Sequence, residues 1–491
     1  MNASHRPTSS RLAGLWSGVL YALSIVAAVL AFGLIRRHGE TLTPPAAEKT
    51  IVAGEHSPVE TSPVASRPDA TAAEEHPLLR VLLALTAVIV VGRVLGAVLE
   101  RFEQPPVIGE VLAGIMLGPS LLGAVAPQAA AFLLPESITP HLQLVAQLGV
   151  ILYMFTVGLE LDTSALRRLG KAAVAISHAG IVAPFLLGAL LALASYTTLS
   201  RADVPFTVYA LFLGVSMSVT AFPVLARILT DRGLQSTELG TLSLACAAAD
   251  DVTAWCLLAF VVGVAQAEVG GALLVVVLTL GYIAAMFLVV RPLLRRWVAW
   301  TGDALTSGVV AAVFAALLAS AAWTEAIGIH ALFGAFVLGA SLPRDCAIAR
   351  ELPRRINDLV GVVLLPAFFA VTGMRTQIGL LSGWENWLWC LAIVAVATLG
   401  KAGGSLAAAR LSGFNWRDSA ALGILMNTRG LVELIVLNIG LELGVISDRL
   451  FAMLVIMALV TTMGTTPALR LLGAGWAGSP AGVPRNLAKV R

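Results

Sequence analysis

Long apolar runs, separated by short polar stretches, make up most of the chain. One run at residues 12–34 stands apart near the N-terminus, and thirteen others follow it. A run of about 20 apolar residues can cross a bilayer as one helix. The pattern therefore predicts an all-α polytopic membrane protein with these spans: 79–99, 105–125, 142–160, 172–194, 205–229, 239–265, 270–290, 304–324, 328–342, 356–379, 386–410, 418–440 and 447–471.

The first apolar run has different surroundings from the rest. It lies between Arg11 and the pair Arg36 and Arg37, and no small-residue cleavage site of the kind that ends a signal peptide follows it. The next stretch is rich in Pro, Ala, Glu, Thr and Ser, a composition typical of disorder. The predicted division is a transmembrane anchor, a disordered extracytoplasmic linker, a thirteen-helix domain and a short cytoplasmic tail: 1–35, 36–77, 78–473 and 474–491.

The composition agrees with a membrane protein and excludes several classes of function. The 491 residues are 58% hydrophobic and only 12% charged, whereas soluble domains are about 25% charged. The formal net charge of +3 gives no basis for binding nucleic acid. None of the four cysteines has metal-ligand or disulfide spacing with another. We therefore expect no nucleic-acid partner and no cofactor.

Basic residues in the loops predict the orientation, because cytoplasmic loops carry an excess of Lys and Arg. With the N-terminus in the cytoplasm, the inside loops of the thirteen spans carry fifteen such residues. The outside loops carry only Arg201, Arg375 and Arg449. Both termini are therefore predicted to be cytoplasmic, in a plasma or inner membrane. Arg36 and Arg37 disagree with this orientation, since they would fall outside.

Two short strings recur and predict an internal repeat. The segment 117–121 (Leu-Gly-Pro-Ser-Leu) returns as 338–342 (Leu-Gly-Ala-Ser-Leu), and 153–159 returns more weakly as 368–374. The two offsets, 221 and 215 residues, are nearly equal. Each pair lies seven spans apart, so the copies would cross the membrane in opposite directions. Inverted repeats of this kind are typical of secondary transporters.

Two adjacent aspartates, Asp250 and Asp251, lie about 11 residues into a span, near the bilayer centre at ~1.5 Å rise per residue. Ionisable groups at this depth are costly and usually functional. Lys401 is the only lysine in a span centre, so we predict that it pairs with Asp250. Adjacent helical residues point about 100° apart, so Asp251 can face a different environment.

Two further spans carry polar residues at mid-membrane and are predicted to be broken helices. A proline inside a helix removes a backbone hydrogen bond, and neighbouring hydroxyls can bind ions or cap the freed carbonyls. The opposed helix ends would leave partial charges facing the site. The candidate residues of these two spans are Ser218, Thr220 and Pro223 in the first, and Asn427, Thr428, Arg429 and Glu433 in the second.

A carboxylate in a wet cavity at the midplane can balance its charge with a proton or a small hard cation. The two then compete for one site, and obligatory competition amounts to exchange. We therefore predict exchange of Na⁺ or K⁺ for protons, with Asp251 as the main carboxylate that binds the ion and Asp250 as a second candidate ligand. Asp250, paired with Lys401, would carry a second proton. Oxygen ligands suit these cations and do not suit a soft transition metal.

Three alternatives remain open at this stage. A solute symporter on the same architecture would not need Lys401 opposite an aspartate pair, and a cation channel would be independent of proton gradients. An intramembrane aspartyl protease needs a Gly-x-Gly-Asp context, whereas Ala-Ala-Ala precedes Asp250. An enzyme is therefore not expected.

Three strings resemble those of a known transporter family: 107–115 (Val-Ile-Gly-Glu-Val-Leu-Ala-Gly-Ile), 220–229 (Thr-Ala-Phe-Pro-Val-Leu-Ala-Arg-Ile-Leu) and 427–436 (Asn-Thr-Arg-Gly-Leu-Val-Glu-Leu-Ile-Val). The chain resembles the monovalent cation:proton antiporter-2 family from about residue 79 to 471. Within that family it is most similar to bacterial relatives of the plant and fungal cation/proton exchangers.

The resemblance implies a sodium/proton antiporter-like fold with inverted repeats and two crossed broken helices, preceded here by one extra transmembrane helix. It also implies a homodimer and an elevator-like motion of a core domain against a scaffold. Asp251 matches the family's ion-binding aspartate, and Lys401 matches the lysine of electrogenic members. Many close relatives have Asn or Gln at the position of Asp250. An Asp-Asp pair with a lysine resembles the electrogenic sodium/proton antiporters instead, and so implies electrogenic exchange.

Overall fold

The computed structural model describes most of the chain as a bundle of helices. The described residues are 25–45, 77–160, 171–234, 237–266, 272–302, 305–327, 330–343 and 345–473. No strand occurs within these ranges. The predicted tail at 474–491, the residues before 25 and most of the predicted linker lie outside them.

Helices account for every predicted span. The first half of the chain contains α1 (residues 25–39), α2 (Pro77–Glu100), α3 (Pro106–Leu117), α4 (Leu122–Val125), α5 (Pro127–Leu133), α6 (Thr139–Glu160), α7 (Lys171–Leu199), α8 (Phe206–Ser218), α9 (Phe222–Asp231) and α10 (Glu238–Gln266). The second half contains α11 (Ala272–Ala285), α12 (Arg291–Thr301), α13 (Ser307–Ile327), α14 (Ala331–Ser341), α15 (Ala347–Leu359), α16 (Leu365–Arg375), α17 (Trp384–Thr398), α18 (Gly404–Leu411), α19 (Trp416–Met426), α20 (Leu431–Glu442) and α21 (Asp448–Leu471).

Three π-helical turns join pairs of these helices into continuous spans. They lie at Met286–Val290 between α11 and α12, at Val360–Leu364 between α15 and α16, and at Leu399–Gly403 between α17 and α18. Within the described residues, ten helical stretches are long and apolar enough to cross a membrane. The two broken spans, α8 with α9 and α19 with α20, and the short apolar α14 complete the thirteen. The prediction of an all-α polytopic membrane protein is confirmed.

Several helix boundaries follow from local sequence. Pro106 occupies the first turn of α3, where a missing N–H removes no helical hydrogen bond. The Asn415 side chain accepts a hydrogen bond from the backbone N–H of Asp418 at 2.8 Å and so caps α19. Ser447 caps α21 in the same way, by accepting from Leu450 N.

The thirteen spans pack as two groups. One, here called the core bundle, contains α7 to α10 and α17 to α21, and its helices contact mainly one another. The other, the scaffold bundle, contains α2, α3, α6 and α11 to α16. The aspartate pair lies on α10 and therefore belongs to the core bundle.

Helix crossings in the scaffold bundle follow the predicted repeat. A Cβ on Gly118, at the end of α3, would lie 2.8 Å from the Cα of Met374 on α16. A Cβ on Gly339 in α14 would lie 2.9 Å from the backbone N of Leu159 on α6. In the predicted repeat, Gly118 aligns with Gly339, and Leu159 aligns with Met374. The two crossings therefore involve equivalent pairs of positions, with the glycine coming from the first copy in one crossing and from the second copy in the other. This exchange is what an internal two-fold axis between inverted repeats produces.

The helix α1 packs against the core bundle. The ring centroids of Phe32 and Phe185, on α1 and α7, are 5.6 Å apart. Just after α1, Glu40 accepts a hydrogen bond from the Thr207 hydroxyl of α8 at 2.9 Å. The end of α1 therefore lies at the same end of the bundle as the start of α8.

The described part of α1 ends at residue 39, beyond the predicted end of the anchor. The first residues assigned to the linker, 36–39, are therefore helical. Arg36, which did not fit the predicted orientation, forms an ion pair with Glu40 at 2.7 Å. Hydrogen bonds from Arg36 and from Thr207 hold the pKa of Glu40 below its usual value.

Candidate functional site

The two broken spans lose helical structure at the predicted places. In the first, α8 ends at Ser218 and α9 begins at Phe222, with Val219 in an extended conformation. In the second, α19 ends at Met426 and α20 begins at Leu431. Gly430 has φ 149°, a region that favours glycine, and a Cβ there would also meet Val224 Cγ2 at 2.9 Å.

The two breaks are in direct contact. The backbone N–H of Ala221, in the first break, donates to the carbonyl of Thr428 in the second at 3.0 Å. The Thr220 hydroxyl also donates to the carbonyl of Met426, at 3.2 Å. The prediction of two crossed broken helices is confirmed.

Two buried cations cap the end of α8. Arg429 donates to the carbonyl of Ser216 through Nη1 and to that of Met217 through Nη2, each at 2.6 Å. Lys401 Nζ donates to the carbonyl of Ser218, also at 2.6 Å. The last carbonyls of a helix lack intrahelical donors and carry partial negative charge. The helix can therefore be broken in a medium of low dielectric constant, because these side chains replace the backbone hydrogen bonds that the break removes.

Arg429 is itself neutralised within the second broken span. Its Nη1 lies 3.0 Å from Glu433 Oε2, one helical turn away, and both side chains are fully buried. Glu433 Oε1 and Arg429 Nε have no hydrogen-bond partner among the described residues. This pair has a structural explanation, since it stabilises the cation that caps α8.

Asp250 is fully buried and is saturated with donors. Its Oδ2 accepts from Lys401 Nζ at 2.7 Å and from the Thr220 hydroxyl at 3.0 Å. Its Oδ1 accepts from the Ser177 hydroxyl at 2.6 Å. A buried carboxylate with a paired cation and two further donors has its charge compensated where it lies.

Asp251 has the opposite environment, although it is the next residue. Its side chain is 2% exposed, and neither carboxylate oxygen has a hydrogen-bond partner within the described structure. The backbone amide of Phe222, at the start of α9, lies near it without forming a hydrogen bond. A charged oxygen pair with no donor is unstable in the protein interior, so this group needs a ligand that supplies positive charge.

The structure brings the other candidate residues to the breaks with different contacts. The Ser218 hydroxyl donates to the carbonyls of Ile181 and Gly214 and does not contact an aspartate. The Thr428 hydroxyl lies 3.4 Å from that of Thr465. Asn427 is 7% exposed and its Oδ1 lacks a partner among the described residues. Pro223 is the second residue of α9.

Sequence reasoning missed Ser177 and the π-helical turn that carries Lys401. Ser177 is one hydroxyl in the long apolar helix α7, and nothing local links it to Asp250, 73 residues later. Lys401 lies within Leu399–Gly403, and π-helical turns are frequent at functional sites. The glycines beside Lys401 were the available signal. A Cβ on Gly400 would lie 2.7 Å from the Cα of Pro184, so α7 packs directly against this turn.

The arrangement is that of a membrane transporter with a buried ionic site at two crossed broken helices. A family model described as "Sodium/hydrogen exchanger, transmembrane" matches residues 81–472. The chain therefore belongs to the sodium/hydrogen exchanger family. The prediction of a cation:proton antiporter is confirmed at this level, and a symporter is not supported.

Individual relatives agree with the family. The chain is 43% identical over 394 residues to "Na(+)/H(+) antiporter NhaS4" of Synechocystis, covering 79% of this chain and 96% of that protein. It is 40% identical over 397 residues to "Cation/H(+) antiporter 18" of Arabidopsis thaliana, but spans only 48% of that longer protein. It is 34% identical to "K(+)/H(+) antiporter 1" of Saccharomyces cerevisiae over 408 residues, which are 81% of this chain and 46% of that protein.

A solved structure supports the fold. The sodium proton antiporter MjNhaP1 from Methanocaldococcus jannaschii matches with a TM-score of 0.60 and 16% sequence identity. The match covers 80% of this chain and 99% of that one. At this identity the likeness concerns the fold alone.

Replacing Arg429 by Met tests whether side-chain cations support the break. The change leaves Glu433 as an unpaired buried charge and removes the donors to the carbonyls of Ser216 and Met217. We expect a loss of about 3–5 kcal/mol in stability, measured by thermal unfolding of the detergent-solubilised protein. The matched control is Arg355→Met, which removes an exposed pair with Glu351 at 3.6 Å and should cost at most about 1 kcal/mol. Equal melting temperatures for the two variants would contradict this role.

Proposed function

We propose that the protein exchanges a monovalent cation, Na⁺ or K⁺, for protons by alternating access, with Asp251 as the carboxylate that both ions use. The observation that carries the proposal is the contrast between two adjacent carboxylates. Asp250 has three donors, whereas Asp251, also buried, has no hydrogen-bond partner among the described residues. A proton or an alkali cation would each supply the positive charge that Asp251 lacks.

Competition at Asp251 accounts for coupling. A buried carboxylate that has bound neither ion is costly to move through the membrane interior. If the core bundle changes sides only when Asp251 is neutralised, one ion must leave before the other can be carried back. Coupled exchange then follows from the free-energy cost of moving Asp251 while it is charged and unoccupied, and no additional gating element is needed.

The identity of the cation is part of the proposal. The relative from Synechocystis is named as a Na⁺/H⁺ antiporter and the relative from Saccharomyces cerevisiae as a K⁺/H⁺ antiporter. The breaks contain carbonyl and hydroxyl oxygens and Asp251 of α10 has carboxylate oxygens, and oxygen ligands suit either ion. No resident cofactor is part of the proposal, and the cation is substrate.

The second part of the proposal is that the exchange is electrogenic. Asp250 and Lys401 form a coupled buried pair at 2.7 Å, so a proton taken up or released there belongs to the pair rather than to either residue. Two protons per cation, one at Asp251 and one at the pair, would move net charge. A membrane potential would then drive the exchange.

Polar contacts between the two bundles support alternating access. At one end, Glu103 of the scaffold bundle pairs with Arg470 of α21 and lies 3.5 Å from Arg232, just after α9; we call this the Glu103 contact. At the other end, Arg375 of α16 donates to Glu442 and Asn438 of α20, each at 3.0 Å.

We call the second group, Arg375 with Glu442 and Asn438, the Glu442 contact. The two contacts lie at opposite ends of the molecule, because Glu103 precedes α3 whereas the far end of α3 meets Met374. With both formed and Asp251 buried, the structure corresponds to an occluded conformation. Exposed pairs contribute about 0–1 kcal/mol each, so breaking either one is compatible with rapid cycling.

Three further features belong to the proposal rather than to the comparisons. We propose a homodimer, residence in the plasma or inner membrane, and cytoplasmic termini. The family resemblance supports the first. The excess of basic residues in alternate loops supports the last.

Replacing Asp251 by Asn tests the main proposal. The change removes the charge for which proton and cation compete, so we expect cation-dependent proton movement to fall at least about a hundredfold, as expected when an essential group is lost. The assay is recovery of a pH-sensitive dye in everted vesicles energised by respiration, with Na⁺, K⁺ and Li⁺ added in turn. Undiminished exchange, with the variant present in the membrane at wild-type level, would contradict the assignment.

Replacing Asp250 by Asn tests the electrogenic proposal separately. The pair with Lys401 can then no longer take up a second proton, whereas Asp251 remains intact. We expect exchange to persist and its acceleration by an imposed membrane potential to disappear, measured in proteoliposomes with a valinomycin-set potential. The variant responding to the potential as strongly as wild type would show that the pair carries no proton.

Replacing Glu442 or Glu103 by Gln tests the two inter-bundle contacts. Each change weakens closure at one end, so we expect the apparent KM for the cation to fall about two- to fivefold at that end and to rise at the other. Right-side-out and everted vesicles give the two values. Glu351→Gln, which removes an exposed pair within α15, is the control. A change of KM in the same direction at both ends would contradict opposing roles.

A further inference from the structure

The Ser177 hydroxyl has an unusual hydrogen-bond acceptor. A buried serine in a helix usually donates to the carbonyl four residues earlier, as Ser195 of the same helix does to Leu191 at 2.9 Å. For Ser177 that carbonyl belongs to Ala173, which accepts from Cys246 Sγ of α10 instead. Ser177, 1% exposed, crosses to α10 and donates to Asp250 Oδ1 at 2.6 Å.

This bond decides what Asp250 can bind. Lys401 and Thr220 both donate to Oδ2, so Ser177 is the one donor that the described structure gives to Oδ1. With Ser177 in place, both oxygens of Asp250 are occupied. Without it, one oxygen of a buried carboxylate would be left without a donor from the described residues, on the residue next to Asp251 in the chain.

We propose that Ser177 is a positioning residue that withholds Asp250 from the transported cation, so that Asp251 alone of the two aspartates binds it. The inference rests on the proposed function, since it concerns the division of labour within that site. Ser177 does not contact the ion. It acts through Asp250, by keeping its Oδ1 hydrogen-bonded and its carboxylate plane fixed.

Removing the hydroxyl should therefore change affinity rather than rate. In Ser177→Ala, the freed Oδ1 becomes a second carboxylate oxygen for the cation. We expect the apparent KM to fall about three- to tenfold, the scale of one ordinary protein hydrogen bond. The maximal rate should stay within about twofold of wild type. Ser177→Thr keeps the hydroxyl and should restore the wild-type KM.

The experiment measures KM and maximal rate for Na⁺, K⁺ and Li⁺ by dye recovery in everted vesicles that carry each variant at matched levels. Ser195→Ala removes an equally buried hydroxyl from the same helix and should leave KM unchanged. Should Ser177→Ala fail to accumulate, Ser177→Cys has nearly the same size and a much weaker donor, and its KM should fall in the same way.

The possible outcomes test the role of Ser177 separately from the proposed function. A lower KM in the Ala or Cys variant, restored in the Thr variant, supports the inference. A KM that is unchanged or higher, with wild type active and Asp251→Asn inactive, overturns the role of Ser177 and leaves the proposed function in place. Exchange that is absent in wild type, or retained in Asp251→Asn, would overturn the proposed function itself.

Discussion

Two carboxylates on adjacent residues, buried in a medium of low dielectric constant, impose the main constraint on this structure. Such a pair is tolerated only if positive charge reaches each member. Lys401, Thr220 and Ser177 compensate Asp250 from three different spans. Asp251 receives no donor from the described residues, and we propose that its compensation comes from a bound proton or cation. The asymmetry between neighbours is the basis for assigning the cation to Asp251 and not to Asp250.

The broken helices follow from the same requirement. Bringing Lys401 to Asp250 places it beside the carbonyl end of α8, and Lys401 and Arg429 together satisfy the carbonyls at 216–218. Arg429, in the break, then needs Glu433, which the first turn of α20 supplies four residues later. Lys401 therefore pairs with Asp250 and Arg429 with Glu433, whereas Asp251 has no partner among the described residues.

Much of this was predictable from sequence, for identifiable reasons. Local composition and residue spacing predict the thirteen apolar spans, the two breaks and the inverted repeat. The structure contains all of these features. The pairing of Lys401 was inferable because a lone buried ammonium needs an anion. Ser177 was not, because its partner is 73 residues away and depends on the packing of α7 against α10. The π-helical turn at Lys401 and the end of α1 depend likewise on contacts between helices, which a local pattern does not contain.

The most direct test of the central claim is to count protons released when the cation binds to purified protein. Calorimetry of Na⁺ or K⁺ binding in detergent, repeated in buffers of different ionisation enthalpy, measures this number without any membrane or gradient. The account predicts that binding displaces protons in wild type and that neither binding nor release remains in Asp251→Asn. Cation binding without proton release in wild type, or release that persists in Asp251→Asn, would contradict a carboxylate shared by the two ions.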